Sequence, residues 1–321
     1  MQTNRQKSAF RTTIGGQALI EGILMRGPEK QAIVVRRPDG GLEVRVEELR
    51  LIKERYPVLG WPFIRGVVTF LDSMIRGVKA LMFSADFYPE EEAAQPSKFE
   101  LWLEEKLGSE KFSQIIVGLA VVLGVGFSIG LFFLLPAALT GLLQIWVPMS
   151  RLAVSAVEGV IRVLLFLAYL IFCSRLSDIR RVFSYHGAEH KTIFCYERGL
   201  DLTVENVSKM PRHHPRCGTS FLFVVIIVAI LVHAMLFSVV TPPNLLARMA
   251  LQLLTLPVIV GISYEFNRFA GRHDNLLTRV LTAPGLWMQN FTTFEPDASM
   301  MEVAIEALRL VLPSRVGQDR W

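Results

Sequence analysis

The longest apolar stretch of this sequence is Ser113–Val147, SQIIVGLAVVLGVGFSIGLFFLLPAALTGLLQIWV, in which none of the 35 residues is charged. A helix of about 20 apolar residues is long enough to cross the hydrocarbon core of a bilayer. The stretch is therefore too long for one simple span, and Pro136 with the neighbouring glycines favours a bend or a helix end. We predict a first transmembrane span over residues 113–137, followed by a connector.

Three further apolar segments have about the length that a transmembrane helix needs. They cover residues 152–173, 219–240 and 245–262. The composition agrees, because 51% of the residues are hydrophobic, 20% are charged and the mean hydropathy is +0.39. The sequence predicts a mainly α-helical membrane protein with about four transmembrane helices, bundled over 113–264, and the lipid bilayer as its first partner.

The distribution of basic residues predicts the orientation in the membrane. Residues 1–112, 174–218 and 265–321 carry 17, 8 and 6 lysines and arginines, whereas the connectors 138–151 and 241–244 carry one between them. Segments rich in lysine and arginine stay in the cytoplasm. The N-terminus is basic but has no apolar run, so it is not a signal peptide. We predict that both termini and the central loop face the cytoplasm.

Residues 1–60 are predicted to form a cytoplasmic region with a Gly-rich loop and a β-hairpin. The β-branched run 31–37 and the alternating run 42–47 flank the turn sequence Pro38-Asp39-Gly40-Gly41. Before them, the glycines of Gly15–Gly22 predict a backbone that turns or approaches another group closely.

Residues 61–112 are predicted to contain amphipathic helices and an acidic linker. A helix from Pro62 to about Ala85 has a wide apolar face and a narrow polar stripe. Such a helix suits the membrane interface, or packs on the soluble region, and the sequence leaves both alternatives open. The linker, 89–98, and a short amphipathic helix, 99–112, lead to the first span.

The central loop, 174–218, contains the heptapeptide Tyr185–Lys191, YHGAEHK. On a helix, positions four apart lie on one face, so both imidazoles can bind one ion. The pattern H-x-x-E-H is that of the inverted zinc-protease motif. We predict that His186 and His190 bind Zn²⁺ or another divalent transition metal, and that Glu189 acts as the catalytic general base.

Three more residues are candidate ligands, because the predicted topology brings them to the same membrane face. His214 and Cys217 lie just before the third span, and Glu265 lies just after the fourth. Zinc takes four ligands, or three and a water when the site is catalytic. Glu265 is the best-placed third ligand, since inverted motifs use a downstream glutamate, and His214 and Cys217 are its rivals.

Two other features complete the sequence. Glu158 and Arg162, four apart within the second span, are predicted to pair, with His233 at comparable depth in the third. This set is either a clamp between helices or a polar path, and its sparseness favours the clamp. The C-terminal segment, 265–321, is predicted to be cytoplasmic, with a helix over 299–312 that begins with a capping box at Ser299.

Several ordered blocks resemble the YqhQ-like family of bacterial multi-span membrane proteins. They are Gly15-Gly16-Gln17-Ala18, Glu21-Gly22, Met25-Arg26, Tyr185–Thr192, His214–Phe221, Pro284-Gly285-Leu286-Trp287 and Glu295-Pro296-Asp297. The family is a domain of unknown function, described as predicted metal-dependent enzymes. The resemblance covers about 15–308 and implies a bacterial inner-membrane protein. It supports the metal site and supplies no substrate.

These observations lead to two functional hypotheses. The first is a membrane-embedded, cytoplasm-facing metal-dependent hydrolase that acts on a peptide, lipid-linked or small-molecule substrate, with Arg216 or Lys191 neutralising an anionic group. The alternative is a non-catalytic membrane-biogenesis or scaffold protein with a structural metal site and membrane-protein partners. A transporter is a weaker reading, because the sequence shows no evident repeat. No nucleic-acid partner is expected.

Overall fold

The computed structural model describes residues 10–49, 56–88, 106, 108–273, 275–315 and 317–320. The predicted linker, 89–98, and most of the helix predicted over 99–112 lie outside the described residues. The chain forms two compact units. The first contains Met1–Tyr88, Tyr169–Ala229 and Leu256–Trp321, and the second contains Pro89–Ala168 and Ile230–Thr255.

The described residues contain eleven α-helices. In chain order they are α1 Ile64–Ala85, α2 Ser109–Ile129, α3 Leu135–Trp146, α4 Arg151–Cys173, α5 Ser177–Glu197, α6 Val204–Ser208, α7 Gly218–Val239, α8 Leu245–Leu254, α9 Leu256–Arg272, α10 Leu276–Thr292 and α11 Ala298–Val311. A 3₁₀ turn, Pro57–Gly60, precedes α1, and a π-helical turn, Gly130–Leu134, joins α2 to α3.

The N-terminal region is a four-stranded antiparallel sheet in the order β1-β2-β3-β4. Its strands are β1 Gly15–Leu19, β2 Gly22–Arg26, β3 Lys30–Arg36 and β4 Leu42–Glu48. The predicted hairpin is confirmed as β3 and β4, with Arg36 opposite Leu42. A second hairpin pairs Leu19 with Gly22, so the predicted glycine turn is part of the sheet and β1 forms its edge.

Both faces of the sheet are packed against other elements. Each strand contributes to both, since its successive side chains point to opposite sides. One face contributes Ile23, Met25, Ala32 and Val34 to a core shared with Tyr185 and Ala188 of α5 and with α11. The other face contributes Leu19, Leu24, Ile33 and Val35 and packs against Ala80 of α1. The sheet therefore holds β1 beside α5, which carries the histidine motif.

Helix α1 packs on the N-terminal sheet, which is one of the two predicted alternatives. Besides Ala80 on the sheet, Gly66 lies against α9, where an added Cβ would be 2.7 Å from Tyr264 Cβ. Leu71, Met74 and Ile75 are 49–58% exposed on the helix surface. The interfacial position of this apolar row stays a prediction.

Within the described part of the chain, four apolar helical segments are long enough to cross a membrane: Ile115–Trp146, Arg151–Cys173, Gly218–Val239 and Leu245–Arg272. The predicted fold class, a mainly α-helical membrane protein with four spans and a small N-terminal sheet, is confirmed.

Two helical segments run past the predicted ends of their spans. The first helical segment continues past residue 137 to Trp146, and the fourth past 262 to Arg272. Pro136 does not end the first, because the π-helical turn precedes it and Arg162 Nε donates to Phe132 O at 2.8 Å. Phe132 O would otherwise lack its helical partner, because Pro136, four residues later, has no N–H to donate.

The predicted Glu158–Arg162 pair exists and belongs to a larger cluster inside the second unit. Glu158 accepts hydrogen bonds from Arg162 at 2.9 Å, from Arg248 at 2.6 Å and from Gln252 at 2.6 Å. His233 Nδ1 lies 3.5 Å from Arg162. The pairing within α4 was predictable from its spacing, whereas Arg248 and Gln252 are about one hundred residues away in sequence. The dense bonding supports the clamp.

Helix α11 confirms the predicted amphipathic C-terminal helix, with Val303, Ala304 and Leu308 fully buried. The predicted capping box was wrong, because the helix begins at Ala298 and Asp297 caps it by accepting from Met300 N at 2.9 Å. Burial raises the pKa of Asp297, but hydrogen bonds from Ser299 and the Met300 N–H outweigh burial and hold that pKa below its ordinary value.

Candidate metal centre

Helix α5 presents the two motif histidines on one face, as their spacing predicts. The ring centroids of His186 and His190 are 4.3 Å apart. His190 is 2% exposed, and its burial lowers its pKa, which favours the neutral imidazole that can bind a metal. The H-x-x-E-H stretch is therefore helical and largely buried.

Each motif histidine is oriented by a main-chain carbonyl. His186 Nδ1 lies 2.8 Å from Thr292 O, and His190 Nδ1 lies 2.6 Å from Arg212 O. A carbonyl oxygen only accepts hydrogen bonds, so Nδ1 of each ring carries the proton. A histidine that is held in this way at Nδ1 can bind a metal through Nε2, an arrangement that metal-binding histidines commonly show.

Cys217 supplies a third donor at this point. Its Sγ lies 3.1 Å from His186 Nε2, and donor atoms of His186, His190 and Cys217 all lie within 4.8 Å of one another. The sulfur also accepts from Thr219 Oγ1 at 3.3 Å and from Thr219 N at 3.4 Å. Two imidazoles and a thiol are donors that suit zinc, so these three residues could hold a metal ion.

Glu189 lies on the same helix turn and faces the N-terminal sheet. Its Oε1 accepts from Gly16 N at 2.8 Å. Within the part of the chain that the structure describes, Oε2 is buried and has no hydrogen-bond partner. Burial raises the pKa of Glu189. A carboxyl group with one oxygen held and one free is suited to exchanging a proton with a ligand in the adjoining cavity.

The absence of a side chain on Gly16 allows this contact. A Cβ there would lie 3.0 Å from Glu189 Cδ and 2.7 Å from Leu24 O. The close approach expected from the glycines of Gly15–Gly22 is thus an approach of β1 to the motif glutamate.

The other two candidate ligands are close to carboxylate or guanidinium partners outside the donor group. His214 Nε2 is 3.6 Å from Glu197 Oε2, and its ring centroid is 5.6 Å from that of His190. Glu265 forms a bidentate pair with Arg65, at 2.7 and 2.5 Å. The structure does not bring His214 or Glu265 into the three-donor group, and metal ligation by either stays a prediction.

Residues that were not singled out from sequence hold the loop before α7. Gln289 of α10 is fully buried and accepts from His214 N at 2.7 Å while donating to His214 O at 2.8 Å. Glu197 accepts from Thr12 N at 2.8 Å and from Arg216. Burial raises the pKa of Glu197, but His214 and Arg216 outweigh it and hold that pKa low. Gln289 lies outside the sequence blocks that carry the family resemblance, so no local pattern identified it.

A cavity of about 510 Å³ opens beside these groups. Its lining includes Thr12–Ala18 from the N-terminal region, the donors His186, His190 and Cys217, and Glu189. The three donors and Glu189 therefore line one space together with the backbone of β1.

Comparison with known proteins places the chain in a family. The family described as "Protein of unknown function (DUF1385)" matches residues 61–314. A relative from Bacillus subtilis (strain 168), "Uncharacterized protein YqhQ", is 36% identical over 306 residues, covering 93% of this chain and 92% of the relative. The chain belongs to the DUF1385 family.

The part that matches DUF1385 contains all three donors and Glu189 but begins after β4, so it excludes the strand that contacts Glu189. The similarity to the Bacillus subtilis relative covers most of the chain. No solved structure matches this chain. These matches confirm the resemblance to the family. Neither printed description names a reaction.

Replacing Gly187 by alanine is expected to destabilise the fold around α5 by about 1–3 kcal/mol, because overpacking has that cost. A Cβ on Gly187 would run into the carbonyl oxygen of Phe294, which is main chain and cannot rotate away. The measurement is the free energy of unfolding of the full chain in detergent. Gly124→Ala is the matched helical control, since its Cβ would meet nothing within 4 Å. Equal stability of both variants would contradict the close approach.

Proposed function

We propose that this protein is a membrane-embedded metal-dependent hydrolase, in which His186, His190 and Cys217 bind the metal and Glu189 carries a proton. The observation that carries the proposal is the orientation of the two imidazoles. Each Nδ1 is engaged by a carbonyl, at 2.8 and 2.6 Å, and His186 Nε2 lies 3.1 Å from Cys217 Sγ.

The chemistry divides between the metal and the chain. When bound, Zn²⁺ or another divalent transition metal supplies the Lewis acidity that hydrolysis requires. Glu189 takes a proton from the attacking water at Oε2 and returns it to the leaving group. The Gly16 N–H holds the other oxygen, at 2.8 Å, and so keeps Oε2 in place through both transfers.

Two observations favour a catalytic site over a structural one. Structural zinc sites usually have four protein ligands, whereas catalytic sites keep a position open. The donor group has three members, and it adjoins a cavity of about 510 Å³ into which Glu189 also faces. The alternative of a scaffold protein with a structural metal predicts a fourth protein ligand, for which His214, with its ring centroid 5.6 Å from that of His190, is a candidate.

We further propose that the protein resides in a bacterial inner membrane with both termini and the metal site in the cytoplasm. The basic residues support this orientation, because 17 of the 34 lysines and arginines precede residue 113 and 8 more lie in 174–218. The substrate then reaches the site from the cytoplasmic side.

Metal analysis tests the site directly. The purified full chain is expected to bind about one zinc ion, and His186→Ala is expected to lose it. Even partners that only orient metal ligands contribute about 10- to 100-fold in affinity, so loss of a ligand has a larger effect. The measurement is zinc per chain by mass spectrometry after dialysis against a weak chelator.

His273→Ala is the control for this measurement. His273 is an exposed histidine that stacks on Phe269, outside the donor group. Zinc-free wild-type protein, or full zinc content in His186→Ala, would refute the metal site.

A further inference from the structure

A second cavity adjoins the one at the metal donors. It has a volume of about 410 Å³ and is lined by Leu24, Arg26, Gln31 and Arg76 among others. The two cavities share Thr13, Gly15, Gly16 and Gln17 in their linings. We call the two cavities, which share the start of β1, the groove, and the metal donors line the first of them.

The strand along this groove is the edge of the sheet. In an antiparallel pair, a residue directs both its main-chain groups toward its partner strand or both away from it. The Gly16 N–H points away from β2, since it donates to Glu189. The Gly16 carbonyl and both main-chain groups of Ala18 therefore also point away from β2, and both residues line the groove. Because the Gly16 N–H is held by Glu189, the groups of this edge that can pair with an extended chain are the Gly16 carbonyl and the N–H and carbonyl of Ala18.

The basic residues that the sequence and the groove offer to an anion are already paired with carboxylates. Arg216 pairs with Glu197, and Lys191 pairs with Glu295 at 2.7 Å. In the second cavity, Arg26 and Arg76 both pair with Asp72, at 2.9 and 2.8 Å. The two cations that the sequence offered for an anionic substrate, Arg216 and Lys191, are thus already engaged.

We propose that the substrate is an extended polypeptide segment that lies along β1, pairs with its open edge and crosses Gly15 between the two cavities. This inference rests on the proposed hydrolase and names its substrate class. Main-chain pairing gives such a site little dependence on the peptide's sequence, and the side chains of alternate residues enter the two cavities.

Gly15 allows a test that leaves the fold intact. A Cβ on Gly15 would meet nothing within 4 Å, so a leucine there projects into the groove rather than into the protein. Gly15→Leu is expected to lower kcat/KM by at least about tenfold, because a 1 Å misplacement of a substrate can cost about 100-fold. Gly124→Leu is the matched control, since its Cβ also meets open space.

The probes are β-casein, as an unfolded polypeptide, and vesicles of phosphatidylethanolamine and phosphatidylglycerol, as the lipid alternative. Zinc-loaded full-length protein is incubated with each, and the products are identified by mass spectrometry. In parallel, amide hydrogen exchange over 15–19 is followed in Glu189→Gln with and without β-casein. We expect β-casein to be cleaved and exchange at Ala18 to slow, and Gly15→Leu to remove both effects.

The other outcomes separate the two proposals. Casein cleavage that Gly15→Leu leaves unchanged would overturn the groove. Hydrolysis of lipid but not of casein would overturn the peptide substrate and leave the hydrolase standing. Slowed exchange without any hydrolysis would support the groove and overturn the hydrolase. Zinc binding with neither hydrolysis nor slowed exchange would overturn both.

Discussion

Replacing Glu189 by glutamine is expected to lower the rate of hydrolysis by about 10²- to 10⁴-fold, the usual contribution of a general base. The substitution keeps the shape of the side chain, and the amide oxygen can still accept from the Gly16 N–H, now 2.8 Å from Oε1. The second oxygen, which is buried without a partner among the described residues, becomes an NH₂ group that cannot accept a proton.

The measurement compares initial rates on the substrate of the wild type, together with zinc per chain and thermal stability. We expect zinc content to be retained, since Glu189 is outside the donor group of His186, His190 and Cys217. Glu205→Gln, at an exposed glutamate of α6, is the control for loss of one carboxylate. A Glu189→Gln protein with full activity would exclude Glu189 as the base.

The largest loss of stability is expected from Glu158→Gln in the second unit, at about 3–5 kcal/mol, because it leaves buried charges uncompensated. One carboxylate accepts from Arg162 at 2.9 Å, from Arg248 at 2.6 Å and from Gln252 at 2.6 Å. Without it, two arginines face each other with no anion between them. Arg162→Met should be milder, since Glu158 keeps Arg248.

The free energy of unfolding of the full chain in bicelles measures this effect. Arg151→Gln is the control, because Arg151 is an exposed charge at the start of the same helix. The Glu158→Leu/Arg162→Met double variant should lose less than the sum of its single variants, as contacting groups do. A loss below about 1 kcal/mol for Glu158→Gln, the size of an exposed pair, would contradict a buried clamp.

The features that sequence predicted well are those set by neighbours along the chain. Spans of about 20 apolar residues are visible because a bilayer core imposes their length, and the β3–β4 hairpin is visible because its turn sequence is local. His186 with His190, and Glu158 with Arg162, follow from helical spacing alone. The continuation of the first helix past Pro136 was missed, because Arg162 reaches the Phe132 carbonyl from another helix.

The choice among candidate ligands was not local. The predicted topology brought His214, Cys217 and Glu265 to the face of the motif and favoured Glu265, whereas the structure groups Cys217 with the two histidines. Glu265 is held by Arg65, which is 200 residues away in sequence. Gln289 fixes the backbone of His214, and that loop geometry directs Cys217 toward His186.

The sequence by itself determined that this is a four-span membrane protein and that His186, Glu189 and His190 share one helical turn, because spacing along a helix is a property of the chain. Only the tertiary structure decided that Cys217 joins the histidines, that their Nδ1 atoms face Thr292 and Arg212, and that β1 lies against Glu189. The physical reason is that these contacts join residues between 22 and 173 positions apart, so only packing brings them together.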